Sequence, residues 1–298
     1  MGLRAISTYF HVKALDKVFK LLNAFALWVI LPVVVFISTA RPETAARILG
    51  FGNALLLGFI SVGVCFVSAV AFSYLTKDDR KTTIAVVLNS AFMNVTYLGF
   101  PAVSLLLGAN YMGAAALFAM GVGTLHVIFG TVLASSAAKK RLTPRAVVIT
   151  VVTFPAVFAL IAALLFVAFN APIPSIVGTT FDAYLAMPFF ALMLMLVGYQ
   201  IPLVNPRKYS RHLATVGMLR FILSPLVTYL VIFILGLNFS TEFTPKASLL
   251  LSVMPPAVFN VILAHNFKLD DKFYGAIVFY LTLISIFLVL PAVVAFMP

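Results

Sequence analysis

The sequence predicts an all-α polytopic membrane protein of about nine transmembrane helices. Three observations carry that prediction. Of the 298 residues, 63% are apolar and only 9% are charged. Apolar stretches of membrane-spanning length also recur from one end of the chain to the other. A soluble domain needs about a quarter of its residues charged to cover its surface, so a mean hydropathy of +1.14 excludes a soluble enzyme with one buried core. Disorder, a collagen-like rod and a disulfide scaffold are excluded as well. Cys65 is the single cysteine, so no internal disulfide can form.

Residues 1–19 come first and differ from the rest. Leu3, Ile6, Phe10, Leu15, Val18 and Phe19 recur at helical spacing, while Arg4, Lys13, Asp16, Lys17 and Lys20 fall mostly elsewhere. The stretch is too charged to span and is expected to lie on the membrane surface as an amphipathic segment. It carries no pattern of a removable signal peptide. Nine spans follow, at about 20–38, 51–75, 83–107, 111–136, 146–169, 176–200, 212–236, 246–265 and 273–297.

The loops alternate in charge. Arg4, Lys13, Lys17 and Lys20, then Lys77, Arg80 and Lys81, then Lys139, Lys140, Arg141 and Arg145, then Arg207, Lys208 and Arg211, then Lys268 and Lys272 fall on one side. These sixteen face only Arg41, Arg47 and Lys246 on the other side, with Arg220 inside a span. The split predicts a multi-pass protein of the cell membrane, N-terminus cytoplasmic and C-terminus outside. It also accounts for the net charge of +12 without a nucleic-acid partner.

The third span contains Asn94 and Pro101; the eighth contains Pro255, Pro256 and Asn260. Proline lacks an N–H and clashes with the carbonyl four residues back. The disturbed carbonyls are those of Tyr97 for Pro101, and of Leu251 and Ser252 for Pro255 and Pro256. Freed backbone groups persist in a membrane only where protein or a water-filled cavity satisfies them. By the loop parity the third span runs outward and the eighth inward. Matched broken helices of opposite direction are the signature of an inverted-repeat transporter. The first repeat is 20–140, with four spans, and the second is 141–298, with five. Half-helix N-termini and the amides of Asn94 and Asn260 suit a small anion, especially a carboxylate, or an ion held by freed carbonyls.

The run Asn94-Val95-Thr96-Tyr97-Leu98-Gly99-Phe100-Pro101 resembles the Asn-x-x-aromatic/aliphatic-x-Gly-x-Pro motif of the auxin efflux carrier family. That family includes plant PIN-type auxin carriers and bacterial permeases for malate or malonate. Weaker matches in the same order are Leu31-Pro32, Met254-Pro255 through Asn260, Ala264-His265-Asn266-Phe267 and Leu290-Pro291. Together they cover nearly the whole chain. The resemblance implies ten helices in two inverted repeats of five, a fixed scaffold, and a moving part that carries two broken crossover helices. The family's first helix has no counterpart here, which leaves four plus five. The resemblance also implies that Asn94 lies at the substrate site.

The function expected is that of a secondary active transporter, or permease, that moves a small organic anion by elevator-type alternating access. A sodium-coupled carrier of the bile-acid-symporter type, with a similar helix arrangement, is the alternative. An intramembrane enzyme and a non-transporting membrane sensor are alternatives of other classes. No His-Glu-x-x-His run and no second intramembrane acid to pair with Asp182 favours an enzyme. No cofactor or metal is implied. The partners are the lipid bilayer, the anion and a coupling ion, proton or sodium; a homodimer is compatible with the sequence.

The expected substrate-binding set is Asn94, Tyr97, Gly99, Pro101, Pro255, Pro256 and Asn260 at the crossing, with Arg220 and His126. Arg220, about nine residues into the seventh span, either attracts the anion or snorkels to the inner interface. His126 is either a proton-relay or substrate group or a packing residue. Asp182 is read as a cap at the outer end of the sixth helix, against a proton-coupling role. His265 is read as interfacial. Gly121, Gly123 and Gly130 are read as sites of close helix packing.

Overall fold

A computed structural model describes residues 13–40, 48–138, 155–169, 171, 173–200 and 205–297. The described residues are helical apart from turns, short connections and one isolated antiparallel bridge between Met93 and Pro256. Five helices among them are long and apolar enough to cross a membrane: Lys17–Ile37, Gly52–Leu75, Ala109–Ala137, Pro206–Ile234 and Asp271–Phe296. The expected third and eighth spans are each divided, into Arg80–Ala91 and Val95–Leu106, and into Phe243–Ser252 and Phe259–Asn266. The fifth is present as Pro155–Ala168, its expected start lying outside the described residues. The sixth runs through Ser175–Phe181, Asp182–Ala186 and Met187–Gln200. Asp182 is thus the eighth residue of a continuous helix and does not cap its start.

Residues 1–12 of the amphipathic segment lie outside the described residues. Residues 13–19 open the helix Lys13–Phe25, which continues without interruption through Ala26–Ile30 and Leu31–Ala40.

Among the described residues, six single π-type turns are set into the helices. Five of them, Ala26–Ile30, Val95–Gly99, Asp182–Ala186, Leu219–Leu223 and Ser285–Val289, end two residues before a proline: Pro32, Pro101, Pro188, Pro225 and Pro291. The cause is steric. A proline ring collides with the carbonyl four residues back, and a widened turn moves that carbonyl aside while the chain stays helical. These prolines, Pro101 included, therefore sit in the second position of a new helical stretch and do not break the chain. His126–Gly130 is the one π-type turn with no proline behind it.

Packing makes two helix neighbourhoods that also touch each other, Leu31–Ala40 lying against Met112–Leu125 and Met187–Gln200 against Val95–Leu106. Leu31–Ala40 lies along Pro155–Ala168, with Phe36 edge-on to Phe166 at 5.2 Å. Phe19 stacks on Tyr199 at 3.7 Å, which ties Met187–Gln200 to the first long helix. In the other neighbourhood, Ile48–Leu75 crosses Met112–Leu125 at reciprocal glycines. A Cβ on Gly58 would meet the Phe118 carbonyl oxygen at 2.6 Å, and one on Gly121 would meet that of Leu55 at 2.8 Å. Gly121 thus has the packing role expected of it. Gly123 does not, with nothing within 4 Å among the described residues, and a Cβ on Gly130 would meet the His126 ring of its own helix at 2.7 Å and Leu263 Cδ1 of another at 3.4 Å.

One end of the molecule gathers three of the basic segments. Asp78 bonds to Arg211, and its Oδ1 lies 3.3 Å from His212 Nε2. Tyr209 and His212 both pack edge-on against Phe273. Asp79 and Asp270 cap the helices that start there, accepting from Thr82 N and from Lys272 N and Phe273 N.

Candidate functional site

The first interruption spans residues 92–94, between Arg80–Ala91 and the turn Val95–Gly99. It lies at the Asn94 end of the Asn94–Pro101 run, seven residues before Pro101. Asn94 rather than the proline sets it. The Asn94 backbone leaves the helical region (φ −81, ψ 63), and its side-chain Oδ1 accepts from Tyr97 N at 3.2 Å. An asparagine offers the next turn a cap that competes with helix continuation. Pro101 is buried in the following half-helix.

The second interruption, residues 253–258, does contain its prolines. Pro255 and Pro256 have no N–H to continue the ladder, and the two carbonyls expected to be freed find other donors. Leu251 O accepts from Met254 N at 3.1 Å. Ser252 O accepts from Arg220 Nη2 at 2.7 Å and from Ser224 Oγ at 2.9 Å.

The two interruptions satisfy one another. Asn94 N donates to Pro255 O at 2.8 Å, and Ala257 N donates to Phe92 O at 2.9 Å. This is the backbone pairing that an unwound stretch needs when lipid or protein, and not water, surrounds it. Gly99 lets the strands of chain approach: a Cβ there would meet Leu251 Cδ2 at 2.6 Å.

Around this pairing the polar side chains take distinct places. Because Asn94 Oδ1 holds Tyr97 N–H, the amide orientation is fixed and Nδ2 is the outward donor. That Nδ2 is buried and has no hydrogen-bond partner among the described residues. Tyr97 donates its hydroxyl to Asn23 Oδ1 at 2.7 Å, joining the half-helix to the first long helix.

Asn260 does not share Asn94's surroundings. Its Nδ2 donates to Leu88 O at 3.0 Å and to Asn89 Oδ1 at 3.3 Å, and its Oδ1 lies 2.8 Å from His126 Nε2. Asn89 Nδ2 in turn donates to Ala85 O. His126 is stacked on Phe92 at 4.2 Å and edge-on to Phe259 at 5.1 Å. Sequence reasoning missed Asn89; the available signal was a second asparagine in an apolar span, five residues before Asn94.

Arg220 is fully buried. It does not snorkel, which corrects one of its two expected readings. Nε donates to Met254 O at 3.2 Å. Nη1 donates to Ser90 O at 3.2 Å and to Cys65 Sγ at 3.7 Å. Nη2 donates to Ser252 O and to Met93 Sδ at 3.3 Å. All five N–H positions of the guanidinium are engaged by the protein. Among the described residues no group of His, Cys, Asp and Glu is arranged to hold a metal. His265 is exposed and lies 3.2 Å from Asp271.

Long apolar helices, a buried arginine and two interruptions paired inside the bundle define an α-helical multi-pass membrane protein. More narrowly, the chain belongs to the membrane transport protein family, the auxin efflux carrier family, whose family model matches residues 14–292. No curated protein matches it. Membership makes it a membrane transporter.

Proposed function

We propose that this transporter is a secondary permease for a small organic anion, bound as a carboxylate beside the paired interruptions. The observation that carries the reading is Asn94 Nδ2, a buried amide donor at the start of a half-helix with no partner among the described residues. A carboxylate oxygen supplies the missing acceptor. The positive ends of Val95–Leu106 and Phe259–Asn266 add to the same field. Tyr97, Gly99, Pro101, Pro255 and Pro256 shape the surroundings, and His126 acts through Asn260.

In this reading the chain has nine spans arranged as a four-plus-five inverted repeat, and its two divided helices are the crossover pair. The basic loops face the cytoplasm, as does the N-terminus. The group containing Leu31–Ala40, Pro155–Ala168 and Met187–Gln200 stays fixed, and the group around the interruptions moves against it. The close packing of Leu31–Ala40 on Pro155–Ala168 and of Ile48–Leu75 on Met112–Leu125 supports this reading, and the two parts meet at Tyr97–Asn23 and along Met187–Gln200.

The test is uptake of labelled malate, malonate and indole-acetate into liposomes carrying the purified protein, wild type against Asn94→Ala. Uptake of one of these anions, lost in the variant, is the expected result. Folded wild-type protein that takes up none of the three overturns the assignment to these carboxylates.

A further inference from the structure

Three backbone carbonyls converge on the Arg220 guanidinium, and they come from special places. Ser90 O belongs to the last turn of the half-helix Arg80–Ala91. Ser252 O ends the half-helix Phe243–Ser252. Met254 O lies in the unwound stretch that follows. A helix C-terminus carries about half a negative charge. Two such ends together carry about one, which is the charge of one guanidinium. All the acceptors of Arg220 are backbone carbonyls or sulfurs.

In broken-helix transporters, half-helix C-termini and unwound carbonyls are the groups that hold a coupling cation. Here a side chain from a third helix reaches them, delivered by the π-type turn Leu219–Leu223. Ser224, just after that turn, adds a second bond to Ser252 O and lies 2.8 Å from Ser61 Oγ. We infer that Arg220 is a built-in counter-cation: it clamps the C-terminal ends of both half-helices and takes the carbonyl set that a bound sodium or potassium ion would otherwise need. Arg220 is therefore a positioning residue that touches no substrate, and it makes the chain independent of a metal coupling ion. The sodium-coupled alternative loses its ligands at this place. Only arginine has the donors for this task. A lysine ammonium brings three donors on a flexible stem and cannot cover five acceptors.

The clamp stands on its own geometry; its bearing on coupling rests on the transport reading. The experiment separates the two. Thermal unfolding of the purified protein in detergent is followed in sodium, potassium and choline chloride at equal ionic strength. Wild-type Tm is the same in all three. Arg220→Lys melts lower and stays indifferent to the salt. Arg220→Ala melts lower in choline and regains part of its Tm in sodium or potassium. In liposomes, wild-type uptake is equal with sodium and with choline, and Arg220→Lys loses at least about tenfold in maximal rate with KM within about twofold.

A wild-type Tm that rises saturably with sodium overturns the inference, as does an Arg220→Ala protein that melts and transports like wild type. If Arg220→Ala does not fold, the wild-type salt series and Arg220→Lys still decide. Should wild type carry none of the carboxylates tried, the melting series still reads the clamp, and only the transport reading fails.

Discussion

His126 Nε2 lies 2.8 Å from Asn260 Oδ1, and the direction of that bond is determined by its neighbours. Asn260 Nδ2 already gives its hydrogens to Leu88 O and Asn89 Oδ1. Its oxygen must then accept, so the neutral His126 ring carries its proton on Nε2 and keeps Nδ1 as the acceptor. The chain of bonds ties the π-type turn His126–Gly130 to both divided helices. It passes from Ala85 through Asn89 and Asn260 to His126.

Asn260→Asp tests this direction. The substitution keeps the shape but turns a double donor into an acceptor facing Leu88 O and Asn89 Oδ1. Such buried mismatches cost roughly 1–3 kcal/mol, more for a charge. Melting in detergent is expected to show Asn260→Asp well below wild type. His126→Gln, which still offers an N–H, is expected to melt above His126→Leu. Equal melting of Gln and Leu variants would remove the argument for a donor at His126.

The helix crossing at Gly58 and Gly121 makes a separate prediction. A methyl group on Gly121 lands 2.8 Å from Leu55 O, a backbone atom that cannot swing away. Overpacking of this kind costs about 1–3 kcal/mol, so Gly121→Ala should melt clearly lower. Gly123→Ala, with open space around it, is the control and should melt within error of wild type.

Asp79 is predicted to contribute in a pH-dependent way. Hydrogen bonding from Thr82 holds its carboxyl below the ordinary value. A depressed carboxyl stabilises the fold above its ordinary value and loses that contribution as pH falls through its folded value. Asp79→Ala should therefore cost about 1 kcal/mol at neutral pH, and the gap in Tm between the two proteins should narrow toward about pH 3. A gap that widens in acid contradicts the cap.

What was legible in the sequence was the apolar length of the spans and the pairing of two polar, proline-bearing interruptions. Asn94 and Asn260 were found that way. Their different roles were not, because Asn260 answers to His126, 134 residues away. The sequence marks the break by Asn94 and Pro101 together and does not tell which of the two interrupts the helix. The chain absorbs Pro101 in a widened turn and lets the asparagine cap interrupt the helix. Arg220 was visible as a buried charge, but its partners are carbonyls 32 and 130 residues distant. Backbone acceptors leave no trace in the pattern of side chains. Gly121 and Gly123 look alike in sequence; only the position of the neighbouring helix separates them.

Asn94 supports the sharpest pair of variants. Its side chain does two jobs with two atoms: Oδ1 caps Tyr97 N, and Nδ2 stands free. Asn94→Asp keeps an oxygen for the cap and replaces the free donor with a second, charged acceptor. Its buried second oxygen has no donor, so its melting temperature should fall below that of wild type, while Asn94→Ala, which loses the cap, is destabilised by about 1 kcal/mol. Both should lose uptake. A hydrogen bond to a charged group contributes roughly 1.5–3 kcal/mol, so the missing donor costs about ten- to a hundredfold in apparent affinity for the anion. For Asn94→Asp the repulsion of like charges deepens that loss. Tyr97→Phe removes the bond to Asn23 across the two helix groups and touches neither atom of Asn94. It should change the maximal rate and leave KM within about twofold. An Asn94→Asp protein that transports with wild-type affinity would show that the free amide is not where the anion binds.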